Sequence, residues 1–358
     1  MEVARVVLAV VLGAEALAAQ TRASAGTAPS ADPDLREGIA LTSQGRFDAA
    51  IPHFLAAQDR GVESFALQFD LALCYVGIRQ FPAAIRILSD IPSGPNSAQV
   101  KDLLAQAYVG DHQAGAAWKT FQEAASLSPD RERLYVLLSQ ACLDEGLTDL
   151  GMRVVETGLE NLPGSAKLHF QRGIFDSQND DNEEARKEFV EARRLGPGSE
   201  IAYIAEAEQA LIEGRMADVI RSAHAGIHAG YSHYLLLTIL GEALLRTGAA
   251  PSTSAFTEAQ GTLEQAVAQR PAYSSSHVAL GRVYLALGRN SDAVAQLETA
   301  RRLDPRNKAV YPPLAAAYRR SSMPEQAKAA LSVLAELNRE DAARIGAANG
   351  GHAGYVRK

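Results

Sequence analysis

The feature that most limits the fold of this chain is a pattern of small residues that recurs about every 34 residues. The pattern is clearest in residues 274–307, which carry Gly281, Tyr284, Gly288, Ala293, Leu297, Ala300 and Pro305. Small residues let two helices approach closely, a glycine allows a left-handed turn between them, and a proline ends a helix. The unit therefore predicts a pair of antiparallel α-helices.

The same order of residues returns along most of the chain. Repeats are predicted to begin near residues 31, 65, 98, 132, 166, 200, 234, 274 and 308. Several end at a proline, at positions 129, 163, 197, 271 and 305. Extra residues around 249–256 predict a longer turn within the seventh repeat, and Pro312-Pro313 predicts a shortened helix in the last. Because one helix pair cannot bury its apolar face alone, the repeats are expected to stack.

This pattern resembles the tetratricopeptide repeat family over residues 31–339. The resemblance implies an all-α fold, a right-handed superhelical solenoid of about nine antiparallel helix pairs. The solenoid is expected to occupy residues 34–339, with residues 340–358 as a C-terminal cap or tail. The fourth position of the repeat departs from the family, which often has Trp there, whereas this chain has Tyr135 and His169. A fold of this kind implies that the protein binds other proteins, but it does not indicate which partner or which biological process.

The N-terminal residues have the composition of an export signal. Arg5 precedes an apolar run over residues 6–12, and Ala16-Leu17-Ala18 resembles a cleavage site. Residues 1–18 are therefore predicted to be a signal peptide and residues 19–33 a linker, which places the protein in the periplasm or outside the cell. The alternative is a cytoplasmic protein with a frayed first helix. The apolar run is shorter than the ~20 residues that span a bilayer, so no stable membrane anchor is expected after cleavage.

The charge of the chain argues against one class of partner. The formal net charge is −7, and no run of basic residues occurs. Nucleic-acid binding requires clustered Lys and Arg to neutralise phosphates. The charge therefore gives no reason to expect nucleic acid, and the resemblance implies a protein or peptide partner.

The resemblance also implies a binding groove. In the family, positions 2, 5, 9 and 12 of each repeat face a concave surface that contacts a peptide or a helix of the partner. The residues predicted to form this groove are Leu35, Ile39, Phe69, Leu73, Val76, Gln106, Val136, Gln140, Phe170 and Ile174. The first five are apolar, and two interpretations remain open for them. They form a seat for a partner segment, or they pack beneath the linker and complete the core.

The predicted function is a non-catalytic scaffold or adaptor that binds a partner segment in this groove. The family variety that grips chaperone tails carries Lys at position 5 and Asn at position 9, and no repeat here has both. The alternative function is a self-associating structural subunit of a cell-envelope assembly, which forms a homo-oligomer through apolar terminal faces.

Three groups of residues invite a chemical interpretation. His224 and His228 have the spacing of two metal ligands on one helix, but no HExxH motif accompanies them. The acidic stretch 176–184 resembles a calcium loop, yet it lacks the required glycine and final glutamate. Cys74 and Cys142 fall on helices two repeats apart, too distant for a disulfide. No metal site, cofactor or catalytic residue is therefore predicted.

Overall fold

A computed structural model describes residues 32–271 and 273–352 of the chain. The predicted signal peptide, residues 1–18, and nearly all of the predicted linker lie outside the described residues. The described residues form α-helices joined by short turns, with one 3₁₀ turn and no strand among them. The chain divides into two compact units between Ala205 and Glu206.

The first unit contains five complete helix pairs. Its helices are α1 (Pro33–Ser43), α2 (Phe47–Asp59), α3 (Phe65–Gly77), α4 (Phe81–Asp90), α5 (Ser97–Gly110), α6 (Ala114–Leu127), α7 (Arg131–Asp144), α8 (Thr148–Asn161), α9 (Ala166–Gln178) and α10 (Asn182–Leu195). Each odd-numbered helix packs against the even-numbered helix that follows it. Throughout, the odd-numbered member of a pair is the first helix and the even-numbered member is the second helix.

The boundary between the units falls within the next helix. The remaining helices are α11 (Glu200–Ile212), α12 (Met216–His228), α13 (Tyr234–Arg246), α14 (Ser254–Gln269), α15 (Ser274–Ala286), α16 (Asn290–Leu303), the 3₁₀ turn Lys308–Val310, α17 (Tyr311–Arg320) and α18 (Pro324–His352). Within the part of the chain that the structure describes, eight helix pairs pack in the same way, five in the first unit and three in the second (α13–α14, α15–α16 and α17–α18), which confirms the predicted all-α helical-repeat fold.

Close contact between the two helices of a pair explains the small residues of the repeat. A Cβ atom added to Gly281 on α15 would lie 2.6 Å from Cγ of Leu297 on α16. The same addition to Gly173 on α9 would lie 2.7 Å from Cε1 of Phe189 on α10. Real Cβ atoms do not approach other atoms so closely, because packing at this density leaves no room for an extra methyl group. Glycine at this position therefore lets the two helices pack together.

The turn inside each pair has one conformation, whatever the residue. Gly288 has a φ of 70°, as expected for the glycine of the repeat. Asp180 has a φ of 63° and Ser322 a φ of 59° at the equivalent positions, although neither is a glycine. A side chain makes this left-handed conformation unfavourable. The geometry of the helix pair therefore imposes the turn even where the sequence does not favour it.

The second helices bury one narrow stripe and expose the rest of their surface. On α6 the stripe consists of Ala117, Phe121 and Ala124, each at most 1% exposed. The spacing of four and three residues places all three on one face of the helix. Burying the Phe121 side chain stabilises the pair by about 2 to 3 kcal/mol. The alanines flank this large residue and allow the neighbouring helices to approach.

The last pair differs from the others, as its prolines predict. The 3₁₀ turn Lys308–Val310 precedes α17, and the two prolines lie in the first turn of that helix. Proline is tolerated there because the first N–H groups of a helix lack intrahelical acceptors. The second helix, α18, continues to His352. The backbone of residues 340–352 thus extends the last helix, and residues 353–358 lie outside the described part.

The single tryptophan of the chain lies between two pairs of the first unit. Trp118 is on α6, and the guanidinium carbon of Arg153 on α8 lies 4.1 Å from the centre of its indole ring. The ring also packs against Phe121 on its own helix, with centroids 5.9 Å apart. A guanidinium over the face of an indole is a favourable cation–π arrangement. This contact therefore joins the third and fourth repeats.

Candidate functional site

Within each unit, the first helices of successive repeats also contact one another. In the first unit α5 packs against α7, and α7 packs against α9. In the second unit α13 packs against α15. Residues on these contacting faces therefore have neighbours from the previous and next repeat, and the predicted groove positions lie on these first helices.

The apolar residues predicted at the N-terminal end of the groove are mostly buried. Leu35 is 3% exposed and belongs to a core cluster that includes Phe54 and Leu67, and Ile39 packs against the same cluster. These contacts join α1 to its own second helix and to the next repeat.

Phe69 and Leu73 occupy a second core cluster, which also contains Leu103 of the next first helix. They are 1% and 2% exposed, and the partly buried Val76 packs against the same cluster. Phe69 also stacks on Phe65, with ring centroids 5.3 Å apart. This burial favours the interpretation that the apolar group completes the core.

The apolar residues at the predicted groove positions of the fourth and fifth repeats are also buried. Val136 on α7 is 1% exposed, and Phe170 and Ile174 on α9 are 1% and 4% exposed. The Phe170 ring lies 5.7 Å from the ring of Phe189 on the second helix of its own pair. These three residues therefore contribute to packing in the structure.

The polar groove positions of the first unit form a different kind of group. Gln106 on α5 is partly exposed and donates a hydrogen bond from Nε2 to Oδ1 of Asp102, over 3.1 Å. Asp102 is 1% exposed, and its Oδ2 has no hydrogen-bond partner among the described residues. Burial raises the pKa of Asp102 to about 6, although the nearby charge of Arg133 and the bond from Gln106 lower it. Desolvation dominates because a buried carboxylate loses its hydration.

Arg133 and Gln140 lie seven residues apart on the neighbouring helix α7. Nε and Nη2 of Arg133 are both screened from solvent, and neither donates to an atom of the described residues. Gln140 is fully buried, and both its amide nitrogen and its amide oxygen lack partners in the same part of the chain. Buried polar groups without partners cost free energy and are uncommon in folded proteins. We refer to Asp102, Gln106, Arg133 and Gln140 as the polar groove cluster.

Other buried acidic residues were not singled out as site residues from the sequence. Asp70 on α3 is fully buried, and both of its carboxyl oxygens lack partners among the described residues. Burial raises its pKa to about 7. In the second unit, burial and the nearby charge of Glu242 raise the pKa of Glu208 to about 8. These residues could have been recognised in the sequence, because each is a charged residue at an otherwise apolar position of a first helix.

Two of the residues considered as possible metal ligands, His224 and Asp181, contact other residues of the protein. His224 lies on α12, where its Nε2 is 2.6 Å from Oε1 of Glu258 on α14, and His228 ends α12. Asp181 caps α10 by accepting a hydrogen bond from the N–H of Glu184. In the described part of the chain, no group of three or more His, Cys, Asp or Glu side chains is placed to hold a metal ion.

The two cysteines are buried inside the first unit as free thiols. Cys74 lies on α3, where its Sγ is 3.2 Å from Oγ1 of Thr42 on α1. Cys142 lies on α7, and burial raises the pKa of its thiol far above the usual range. Both act as small packing residues, since a thiol whose ionised form is so disfavoured is a poor nucleophile.

The paired helices, their left-handed turns and their tightly packed glycines define a helical-repeat protein. A family model described as tetratricopeptide repeat matches residues 41–107 and 253–311, in both units. These two stretches are therefore tetratricopeptide repeats, and a fold of this kind is that of a protein-interaction scaffold. No curated protein gives a significant match to the chain.

Solved structures share this fold at low sequence identity. A human IFIT1 dimer with m7Gppp-AAAA is 14% identical, with a TM-score of 0.51 over 82% of this chain and 72% of that one. A tetratricopeptide repeat protein from Parabacteroides merdae is also 14% identical, with a TM-score of 0.47 over 76% of this chain and 98% of that one. At such identity the first likeness concerns the fold alone. Within the described residues, no helix is both long enough and apolar enough to cross a membrane.

Proposed function

We propose that this protein is a non-catalytic adaptor that binds a segment of a partner protein along the first helices of its first unit. The contact surface centres on the polar groove cluster of α5 and α7, and the partner segment is a peptide or a helix. Phe69 and Leu73 of the predicted apolar seat are buried in the core, so the proposed contact surface does not include them.

The observation that carries this proposal is the set of unpaired polar atoms on the polar groove cluster. Arg133 offers two nitrogens, Gln140 a nitrogen and an oxygen, and Asp102 one oxygen, all buried and without partners among the described residues. Leaving such atoms unpaired costs about 1 to 3 kcal/mol each. A partner segment that supplies the missing donors and acceptors would recover this free energy on binding.

Site-specific photocrosslinking tests the location of the surface. A photoreactive phenylalanine analogue is placed at Gln106 in one variant and at Lys187 in another. Gln106 belongs to the polar groove cluster, whereas the Lys187 side chain on the second helix α10 is 58% exposed. After irradiation in an envelope extract, we expect a covalent adduct from the Gln106 variant and none from the Lys187 variant. Equal adducts at both positions, or an adduct at Lys187 alone, would contradict the proposal.

We also propose that the protein is exported to the periplasm or secreted, on the basis of the apolar run and the small residues of positions 1–18. Cell fractionation followed by N-terminal sequencing of the purified protein tests this location. Recovery from the periplasm or the medium, with a new N-terminus near residue 19, would support export. Recovery of the whole chain from the cytoplasm would support the alternative location.

Self-association is a second candidate function, and the last helix favours it. Leu331 on α18 is 41% exposed and lines a groove of about 410 Å³ with Arg319 and Lys328. Exposed apolar surface in a groove is a feature of association sites. Light scattering over a range of concentrations, with the Leu331→Glu variant as the comparison, separates a monomer from an oligomer that depends on this surface.

A further inference from the structure

The second helix of the last repeat has a large apolar residue that the described residues cover only in part. Leu263 on α14 and Leu297 on α16 are fully buried, in a core cluster that includes residues of the first helix that follows each of them. Leu331 on α18 lies one period of 34 residues after Leu297, yet it is 41% exposed. We call the surface around Leu331 the end groove, and its lining includes Arg319, Ala327, Lys328, Leu331, Ser332 and Ala335.

In the earlier repeats of the second unit, the equivalent groove is filled by the next first helix. α15 packs against α14, and α17 packs against α16. The chain can turn back into this position after α16 because that helix ends at Leu303. The equivalent residue of α18 is Leu337, but α18 continues to His352. Residues 338–352 therefore do not turn back over the end groove, and a helix that fills it comes from elsewhere.

Two tyrosines show how a first helix contacts the second helix before it. The Tyr284 hydroxyl on α15 donates a hydrogen bond to Oε1 of Glu264 on α14, over 3.4 Å. The Tyr318 hydroxyl on α17 donates to Oε1 of Glu298 on α16 in the same way. Ser332 occupies the equivalent position of α18, where its exposed hydroxyl can accept such a bond.

Two leucines complete the contacting face of these first helices. Leu280 on α15 and Leu314 on α17 each lie four residues before the tyrosine of their helix. Both are buried in the core cluster that contains Leu297. Residues four apart lie on one face of a helix. A leucine followed four residues later by a tyrosine therefore forms the face that fills a groove of this kind.

From these contacts we infer that the end groove binds an amphipathic helix of a partner protein, placed as α15 and α17 are on the second helices before them. A leucine of this helix packs on Leu331, and a tyrosine four residues later donates its hydroxyl to Oγ of Ser332. The small side chain of Ala335 lets the helix approach closely. The inference goes beyond the proposed function, because it concerns the second unit, whereas the polar groove cluster lies on α5 and α7 of the first.

A second copy of the chain fits the end groove less well than such a helix. If α1 of a second copy entered the groove, it would bring the exposed Glu37 to the position where α15 and α17 have a leucine. A carboxylate there would lose its hydration in an apolar groove. A two-fold arrangement of two end grooves would instead bring together the positive charges of Arg319 and Lys328 from both copies, which is unfavourable.

Fluorescence anisotropy with the full chain tests this inference. The probe is a fluorescein-labelled peptide of residues 274–287, the sequence of α15, held helical by a hydrocarbon bridge between positions 282 and 286, neither of which is buried. We expect saturable binding, which Leu331→Glu in the full chain should weaken at least about tenfold because the new carboxylate is desolvated. Leu127→Glu, at an exposed position of α6, is the matched control and should bind as the natural chain does. Circular dichroism should show equal helix content in both variants.

Changes in the peptide test the two expected contacts. Tyr284→Phe removes only the hydroxyl and should weaken binding about threefold to tenfold. The Ser332→Ala chain should bind the natural and the Tyr284→Phe peptides equally, because the shared hydrogen bond is already lost. A peptide of residues 31–44, the α1 region with Glu37 in place of the leucine, is bridged at the equivalent positions and should not bind.

Several results would overturn the inference. They are no saturable binding of the bridged α15 peptide, undiminished binding to the Leu331→Glu chain, a full effect of Tyr284→Phe on the Ser332→Ala chain, or equal binding of the α1 peptide. A dimer of the free chain that Leu331→Glu converts to a monomer in light scattering would also overturn it, because a second copy would then occupy the end groove. The photocrosslinking experiment at Gln106 decides the proposed function separately, since that residue lies in the first unit.

Discussion

Asp70 allows a direct test of how burial in the core affects a charged side chain and the stability of the protein. Its side chain is fully buried on α3, and neither carboxyl oxygen has a partner among the described residues. Burial raises the pKa of Asp70 from 3.8 to about 7. A shift of about three pKa units corresponds to about 4 kcal/mol between the two protonation states, at about 1.4 kcal/mol per unit.

The sign of the effect follows from proton binding. Between pH 4 and pH 7 the folded protein holds a proton on Asp70 and the unfolded chain does not. The free energy of unfolding therefore falls as the pH rises through this range, and it levels off above about pH 7. The neutral Asp70→Asn side chain avoids this loss. We expect the variant to match the natural protein near pH 4 and to exceed its stability by up to about 4 kcal/mol at pH 8.

Urea denaturation followed by circular dichroism at pH 4.5 and pH 8 measures this difference. Because repeat arrays need not unfold in one step, hydrogen exchange of the α3 amides is measured under the same conditions. Asp90→Asn on α4 removes the same charge at an exposed position, and its effect should stay within about 0.5 kcal/mol. A variant at Asp70 that is less stable than the natural protein at pH 8, or that keeps the same pH dependence, would refute the reasoning.

Three further predictions concern the turns, the helix contacts and the thiols. His112 has a φ of 56°, so His112→Gly should stabilise the protein by up to about 1 kcal/mol in urea denaturation, and a destabilised variant would contradict an imposed left-handed turn. Gly281→Ala should cost about 1 to 3 kcal/mol because the new Cβ has no room, whereas Gly261→Ala, at an exposed helical position with open space, should be neutral or stabilising. Neither Cys74 nor Cys142 should react with a thiol reagent in the folded protein, and both should react after denaturation. A count of one reactive thiol or none in the denatured protein would contradict their assignment as buried free thiols.

The sequence predicts the helix pairs well because their determinants are local. A small residue such as Gly281 and a large one such as Leu297 recur at fixed spacing, and the structure places them in direct contact. The turn at Asp180 was harder to predict, because its left-handed conformation comes from the helices on either side. The acidic residues of the same stretch invited a calcium interpretation from the sequence alone.

The groove shows where sequence reasoning reaches its limit. Position within the repeat predicted Phe69, Leu73 and Gln140 as groove residues. The extent to which each is covered depends on side chains from the neighbouring repeats, which the repeat pattern does not specify. Phe69 and Leu73 are covered by apolar partners, whereas the side chain of Gln140 is covered and has no hydrogen-bond partner in the part of the chain that the structure describes. Whether a given position belongs to the core or to a binding surface therefore depends on how several neighbouring repeats pack together.

The isolated tryptophan makes this protein a convenient probe of cooperativity in a repeat array. Trp118 contacts Arg153 between the third and fourth repeats, so its fluorescence reports on that junction alone. Circular dichroism reports on the helices of the whole chain. Coincident denaturation curves from the two signals would mean that the third and fourth repeats unfold together with the rest. A fluorescence transition at a different urea concentration would instead give the stability of one internal junction, without any engineered label.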